Sequence, residues 1–478
     1  MTNNSILENE INFNSLEKEI YAMGCKAARK VMVDFLEELD RQLMEQRDKG
    51  FLRHKGYKKG CIKTLMGEVE YTRAIYEVNA ENAEKKHIYL LDEYMKFDCI
   101  GFISANLAER IADSACESSY AHTAENISRL TGQTISHTTA WNVVQKLGES
   151  IERQENECIK LNKENKLCGT RETKVLFEEA DGVFVKLQGK HRSKGHKNSE
   201  IKLAIFHEGW KQTGTKRYEL NEKTVICGID SSKEFNARKE AQIAKKYNID
   251  EIEQRIFNSD GGQWIKSMYK NDIDICYQLD PFHIRKAIKT SSPGGEYEKN
   301  ILSFLKQGKT TEMFEYIETV ADSLESAKSE EKVRKLYTYL YENRRGLMPY
   351  QKQIGKLPEL NKGLAYRNMG NCEHNVYLTV AKRMKHRSST WSQRGSLNLC
   401  KILCLRVSCR LANAIKNITA TELPEHYTKE TAQKIFSAGK TQKTAGKGYE
   451  TKSCHLPLFD AAVTESIKGF KRMLWRLN

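Results

Sequence analysis

Three acidic residues stand where their carboxylates could act together. Asp181 follows the apolar run of a strand and precedes Gly182. Asp260 ends a second strand ahead of Gly261 and Gly262, so nothing bulky covers it. Glu373 opens a helix in which Val376, Val380 and Met384 recur on one face, so it heads the face that packs inward. Carboxylates gathered from separate elements suit hard cations, which take oxygen ligands. Two such cations about 4 Å apart activate a water or a 3′-hydroxyl and stabilise the leaving oxygen of an in-line phosphoryl displacement. The expected cofactor is therefore a pair of Mg2+ or Mn2+ ions on Asp181, Asp260 and Glu373. The chain has 63 acidic residues, and an Asp-Gly pair at a strand end is commonly a turn, so residue type alone does not select this triad. The order of the elements does.

Around the triad lie auxiliary groups. Asp280-Pro281-Phe282-His283 ends a strand; His283 could bond a phosphate or brace the acids, and Asp280 could support it from behind. Lys382, Arg383, Lys385, Arg387 and Arg394, interleaved with Trp391, suit a nucleic-acid backbone and a splayed base. Lys58 and Lys59 lead into a β-hairpin that breaks at Gly67 and could lie along phosphates. Residues 119–148 read as two short helices joined at Gly132, with Ser136 capping the second, which is the pattern of a helix-turn-helix. Its exposed face would carry His137, Thr138, Trp141 and Asn142. Cys400 and Cys404 fall at helical spacing in an apolar run and read as buried thiols, with zinc ligation the lesser alternative.

The elements that must position these groups follow from periodicity. Residues 15–47 form one long amphipathic helix, with Leu16, Ile20, Met23, Ala27, Val31 and Phe35 in its stripe and local packing as its expected use. A polar linker is expected over 149–173. Strands follow over 175–189, 200–210 and 223–230, then a helix, a strand over 255–262, a helix, and a strand over 274–283. That order is the one found in the ribonuclease-H-like fold. Residues 284–370 form a helical insertion, too long for a loop. One helix carries Glu373, and an apolar helix spans 397–416. The expected class is α/β: a ribonuclease-H-like core with an all-helical insertion, preceded by a mainly helical DNA-binding region. Its divisions are 1–54, a helix; 55–150, hairpin and helix-turn-helix; 170–283, the first part of the core; 284–370, the insertion; 371–420, the last part of the core; and 421–478, a basic tail with Lys440, Lys443, Lys447, Lys452, Lys468 and Lys471.

Composition agrees with a polyanionic partner. The 478 residues carry 78 Lys and Arg, and the net charge is +15, an excess able to displace phosphate counterions. Hydrophobic residues at 39% and charged residues at 29% exclude a disordered or fibrous chain. No apolar run is long enough to span a membrane, and no secretory signal is readable. The 13 scattered cysteines fit a reducing, cytoplasmic setting, near the nucleoid when acting.

EEADGVFVKLQG, EIKLAIFHEGW, SDGGQWIK, YQLDPFHIRKAI and the late Glu373 with SSTWSQRG downstream resemble bacterial insertion-sequence transposases of the ISLre type and, more distantly, the Mutator-like DDE transposases. The resemblance covers about 55–478. It implies that Asp181, Asp260 and Glu373 are the catalytic acids, with Glu342 and Glu359 in the same region as Glu373. It implies that Asp280-x-x-His283 corresponds to the Cys/Asp-x-x-His element those relatives carry. The activity it implies is metal-dependent cleavage and strand transfer of insertion-sequence ends, on terminal inverted repeats and target DNA, by a homo-oligomer. A catalytically silent DNA-binding derivative and a hydrolytic nuclease on the same fold are the alternatives. The amino-terminal 150 residues are expected to bind DNA ends unaided.

Overall fold

The structure, a computed structural model, describes residues 13–78, 87–193, 197–266, 268–269, 275–385 and 389–419. The expected basic tail and Arg387 lie outside them.

α1 (Phe13–Gln46) lies on a hairpin of β1 (Leu52–Thr64) and β2 (Gly67–Val78), to which β3 (His87–Ile88) adds a short third strand. Gly67 turns the hairpin at φ 108°, a left-handed value that a side chain would strain. Leu36 and Leu39 of α1 are buried, and Asp40 accepts the Ala74 N–H at 2.8 Å. The expected apolar stripe packs only in this second half. Arg29 already reaches the hairpin tip at the Met66 carbonyl (2.6 Å), so the residues before it run past the hairpin, leaving Ile20 56% and Met23 70% exposed.

α2 (Leu90–Tyr94) precedes three helices that begin on serine caps: α3 (Ala105–Glu117) on Ser104, α4 (Tyr120–Thr131) on Ser119 and α5 (His137–Lys163) on Ser136. Gly132 ends α4 in the left-handed conformation. α5 differs from expectation. It runs on for 27 residues through most of the expected linker. Ile151 and Cys158 continue its buried stripe, and the charge of Glu155 is met by Arg238 and Lys401.

The centre is a mixed five-stranded sheet. β4 (Val175–Lys186), β5 (Asn198–His207) and β8 (Thr224–Gly228) are successive antiparallel neighbours. Between β5 and β8 a small hairpin, β6 (Trp210–Gly214) and β7 (Arg217–Leu220), projects from the sheet. The strand expected over 200–210 therefore breaks at Gly209, which adopts φ 125°. After α6 (Ser232–Lys246), β9 (Gln254–Ser259) joins β4 in parallel; after α7 (Gln263–Lys266), β10 (Ile275–Leu279) joins β9 in parallel. The order across the sheet is β10-β9-β4-β5-β8.

Strand alternation sends side chains to two cores. Leu203, Ile205, Val225 and Cys227 pack on the side of α3, α4 and α5. Ala204, Phe206, Ile226 and Phe257 pack on the side of α6 and the insertion. The insertion comprises α8 (Pro281–Ser291), α9 (Gly295–Gln307), α10 (Thr310–Ser323), α11 (Ala327–Glu342) and α12 (Tyr350–Gln353). Its last stretch is extended, with β11 (Leu364–Ala365) pairing to β6. α13 (Cys372–Val376), a π-helical turn over Tyr377–Ala381 and α14 (Lys382–Met384) form one continuous helical run, whose Val376, Val380 and Met384 are buried. The apolar helix expected over 397–416 is two, α15 (Gln393–Val407) and α16 (Leu411–Thr419). Cys409 takes a positive φ of 55° between them, and the Ser408 hydroxyl accepts the Val225 N–H at 2.9 Å, so the chain leaves the helix to bond the edge strand. Among the described residues no helix is long and apolar enough to cross a membrane.

Candidate active site

The parallel strands stop level with one another. Ser259 is the last residue of β9 to pair, with Ala180 on one side and Leu279 on the other. Asp181, Asp260 and Asp280 therefore stand one position beyond, on three neighbouring strands. Asp181 is not at a strand end as expected: β4 continues to Lys186 because β5 keeps pairing with it. It reaches the rim because β9 stops beside it.

Each carboxylate is fixed locally. Asp181 accepts the Gly182 N–H at 2.7 Å, and Asp260 accepts the Gly262 N–H at 2.8 Å across a turn in which Gly261 has φ 78°. The Asp260 carbonyl accepts the Tyr339 hydroxyl of α11 at 2.8 Å, so the insertion braces this turn. Asp280 caps α8, accepting the Phe282 N–H at 2.7 Å, and its other oxygen accepts the Asn258 amide at 3.1 Å. The first turn of α8 sets His283 over the rim. Ligand atoms of Asp181, His283 and Glu373 all lie within 4.8 Å of one another. Glu342, by contrast, pairs with Lys266 at 2.8 Å.

Two residues below the three aspartates, on the same strand face, runs a buried polar row absent from the sequence reading. Glu179, Asn258 and Gln278 are register partners across β4, β9 and β10. Gln278 donates to Asn258 at 3.3 Å, Asn258 donates to Glu179 at 3.3 Å, and Gln278 accepts the Tyr350 N–H at 2.9 Å. The backbone amides of Asn371 and Cys372, at the start of α13, lie near Glu179 and favour its charged form. α13, which presents Glu373, packs against β4 here. The available signal was a polar residue two places before each strand aspartate, in EEAD, NSD and QLD.

The site is electrostatically crowded. Burial, then the neighbouring charges of Asp260, Glu373 and Asp280, push the Asp181 carboxyl up to about 7, against the pull of the Gly182 amide. Burial, then Asp280, push Glu179 up to about 7 as well. Such crowding is relieved by a cation, and the donors, carboxylate oxygens with one imidazole nitrogen, fit Mg2+ or Mn2+.

The remaining expected residues lie apart from this cluster. Lys58 and Lys59 are exposed on β1, and His137, Thr138, Trp141 and Asn142 are exposed in the first turns of α5. Lys382 pairs with Glu117 at 3.0 Å, Arg383 donates to the Ala115 carbonyl at 2.8 Å, and Arg394 pairs with Glu149 at 2.8 Å. These three knit the Glu373 helical run and α15 to α3 and α5. Lys385 is exposed. Trp391 does not offer its ring to a base: it is buried, donates to the Met384 carbonyl at 3.0 Å and lies under Arg383.

Known proteins supply a family and distant company. Residues 6–417 match a family model described as "Uncharacterised protein family (UPF0236)". The "UPF0236 protein in vanSb 3'region" of Streptococcus gallolyticus is 24% identical over 400 residues, 82% of this chain and 82% of its own. A UPF0236 protein of Caldanaerobacter subterraneus subsp. tengcongensis is 23% identical over 356 residues, 72% of this chain and 69% of its own. The solved "Crystal structure of a pre-cleavage Mos1 transpososome" aligns over 59% of this chain and 84% of that one at 11% identity, with a TM-score of 0.10, too low to establish a common fold.

Proposed function

The chain belongs to the UPF0236 family, and we propose that it is a DDE transposase that cuts the ends of an insertion sequence and joins them to new DNA. The observation that carries this reading is the level stacking of Asp181, Asp260 and Asp280 on adjacent strands, with His283 from the first helix of the insertion and Glu373 from the helix that follows it, both brought to Asp181. The strand order supports a ribonuclease-H-like core. The net charge of +15 and the exposed basic and polar residues of β1 and α5 support a DNA partner.

Asp181, Asp260 and Glu373 would hold two Mg2+ or Mn2+ ions. Bound there, the ions supply the charge that stabilises attacking and leaving oxygens in phosphoryl transfer. The chain's own side chains do the rest by position. Gly261 and Gly262 leave the Asp260 carboxylate uncovered. Asp280, by capping α8, aims His283, which can hydrogen-bond a phosphate oxygen beside Asp181. Glu179, beside the start of α13, lies under the helix that brings Glu373 to Asp181. Lys58, Lys59, His137, Thr138 and Asn142 are the groups assigned to the DNA backbone and base edges.

The test incubates the full chain with DNA flanking its own gene and Mg2+, then sequences ends and junctions. Element 3′-ends joined to new DNA are expected. Cleavage without joining would replace the reading with a hydrolytic nuclease; specific binding with neither would replace it with a silent DNA-binding protein.

A further inference from the structure

A second cluster lies away from the acids. Cys227 sits in the edge strand β8, and Cys400 and Cys404 stand one turn apart on α15, which packs across that strand. All three are buried, and their sulfurs lie within 4.8 Å of one another. We propose that these three cysteines form a thiolate centre for one Zn2+, separate from the acidic site.

The geometry is close to what zinc requires. Zn–S bonds of about 2.3 Å in a tetrahedron put sulfurs about 3.8 Å apart, a contraction that small side-chain rotations can make. Lys401 and Arg238 are both buried beside the cluster; they share one carboxylate oxygen of Glu155, at 2.6 and 2.7 Å, and Arg238 also pairs with Asp230 at 2.7 Å. The case for the centre therefore rests on the convergence of the three sulfurs. A fourth position is available as well. Cys227 and Cys404 line a small cleft of about 90 Å³ together with Gln154, Glu155 and Lys401, room for a water ligand and a path for the ion. Binding displaces the thiol protons to solvent through that cleft. The centre would clamp β8 to α15, the helix that follows the Glu373 run.

The test measures zinc in the full chain, purified without a histidine tag and under reducing conditions. About one zinc per chain is expected in the wild type and in Asp260→Asn, which leaves the thiols untouched. Cys227→Ser and Cys404→Ser should each lose at least about ninety per cent of it. Exchange into Co2+ should give a thiolate charge-transfer absorption in the wild type, and the serine variants, checked for native circular dichroism, should lack it. A wild-type chain that holds no zinc and shows no such absorption with Co2+ would overturn the proposal, as would zinc retained in both serine variants or lost from Asp260→Asn.

Discussion

Asp181 is shaped by its surroundings before any ligand arrives. An ordinary Asp titrates near 3.9; burial and the acids around it push this one up to about 7. The folded protein therefore holds a proton that the unfolded chain has released. The associated stability is full below about pH 3.9 and is lost as pH rises through about 7. Asp181→Asn removes the charge while keeping the shape. In chelator at pH 8 this variant should melt about 1–4 °C above wild type, and the gain should vanish at pH 4. A lower melting temperature at pH 8 would mean that crowding does not strain the site. The same substitution, and Asp260→Asn, should abolish DNA cleavage in a gel assay while binding persists, because the carboxylates go and the basic surfaces stay. At this scale much of the site was readable. Asp181, Asp260 and Asp280 each precede a Gly or Pro, and His283 follows Pro281 by two places. Glu179, Asn258 and Gln278 were missed because one polar residue inside an apolar strand carries no period of its own; only strand register aligns the three. Cys227 was unreadable as a partner of Cys400 and Cys404 for the same reason.

Elements explain how distant residues meet. The turn after β9 depends on Gly261, whose φ is 78° and whose added Cβ would come within 2.6 Å of Asn343. Gly261→Ala should therefore cost about 1–3 kcal/mol in chemical denaturation and depress cleavage further, since the turn carries Asp260. An unchanged unfolding midpoint would show that the turn relaxes freely. α11 reaches this turn through Tyr339 and ends at Glu342, just before Arg344 and Arg345, both exposed. If the insertion clamps DNA over the acids, replacing both arginines with Glu should weaken strand transfer several-fold with little change in melting temperature. Equal transfer would leave the insertion a spacer. Three of the insertion's helices, α9, α10 and α11, were legible because each repeats its apolar residues at three and four. The β6–β7 hairpin was not, since only Trp210 in β6 is buried and the rest is polar. The break between α15 and α16 was hidden too: nothing about Cys409 announces a left-handed backbone, which the bond from Val225 to Ser408 imposes.

In the molecule as a whole, the helices assigned to DNA and the sheet assigned to catalysis share one core. Val143, Val144, Leu147 and Ile151 of α5 belong to the same cluster as Val183, Leu203, Leu399 and Leu403. The expected separation at 149–173 fails because the charges that suggested a linker are answered from other elements, Glu155 by Arg238 and Lys401. A fragment of residues 1–150 should accordingly lack a cooperative thermal transition by circular dichroism and bind DNA weakly, against the expectation that it acts unaided. A sharp transition with end-specific binding would restore the modular view. The long α5 has a mechanical corollary. Its 27 residues make a rod about 40 Å long, and the end that carries His137, Thr138 and Asn142 is itself seated in the core through Ala140, Val143 and Val144. Repacking beneath Ala140 and Val143 would thus shift the groups assigned to DNA together with the core they rest on, so that target choice would be tuned from the interior without touching any residue that faces DNA.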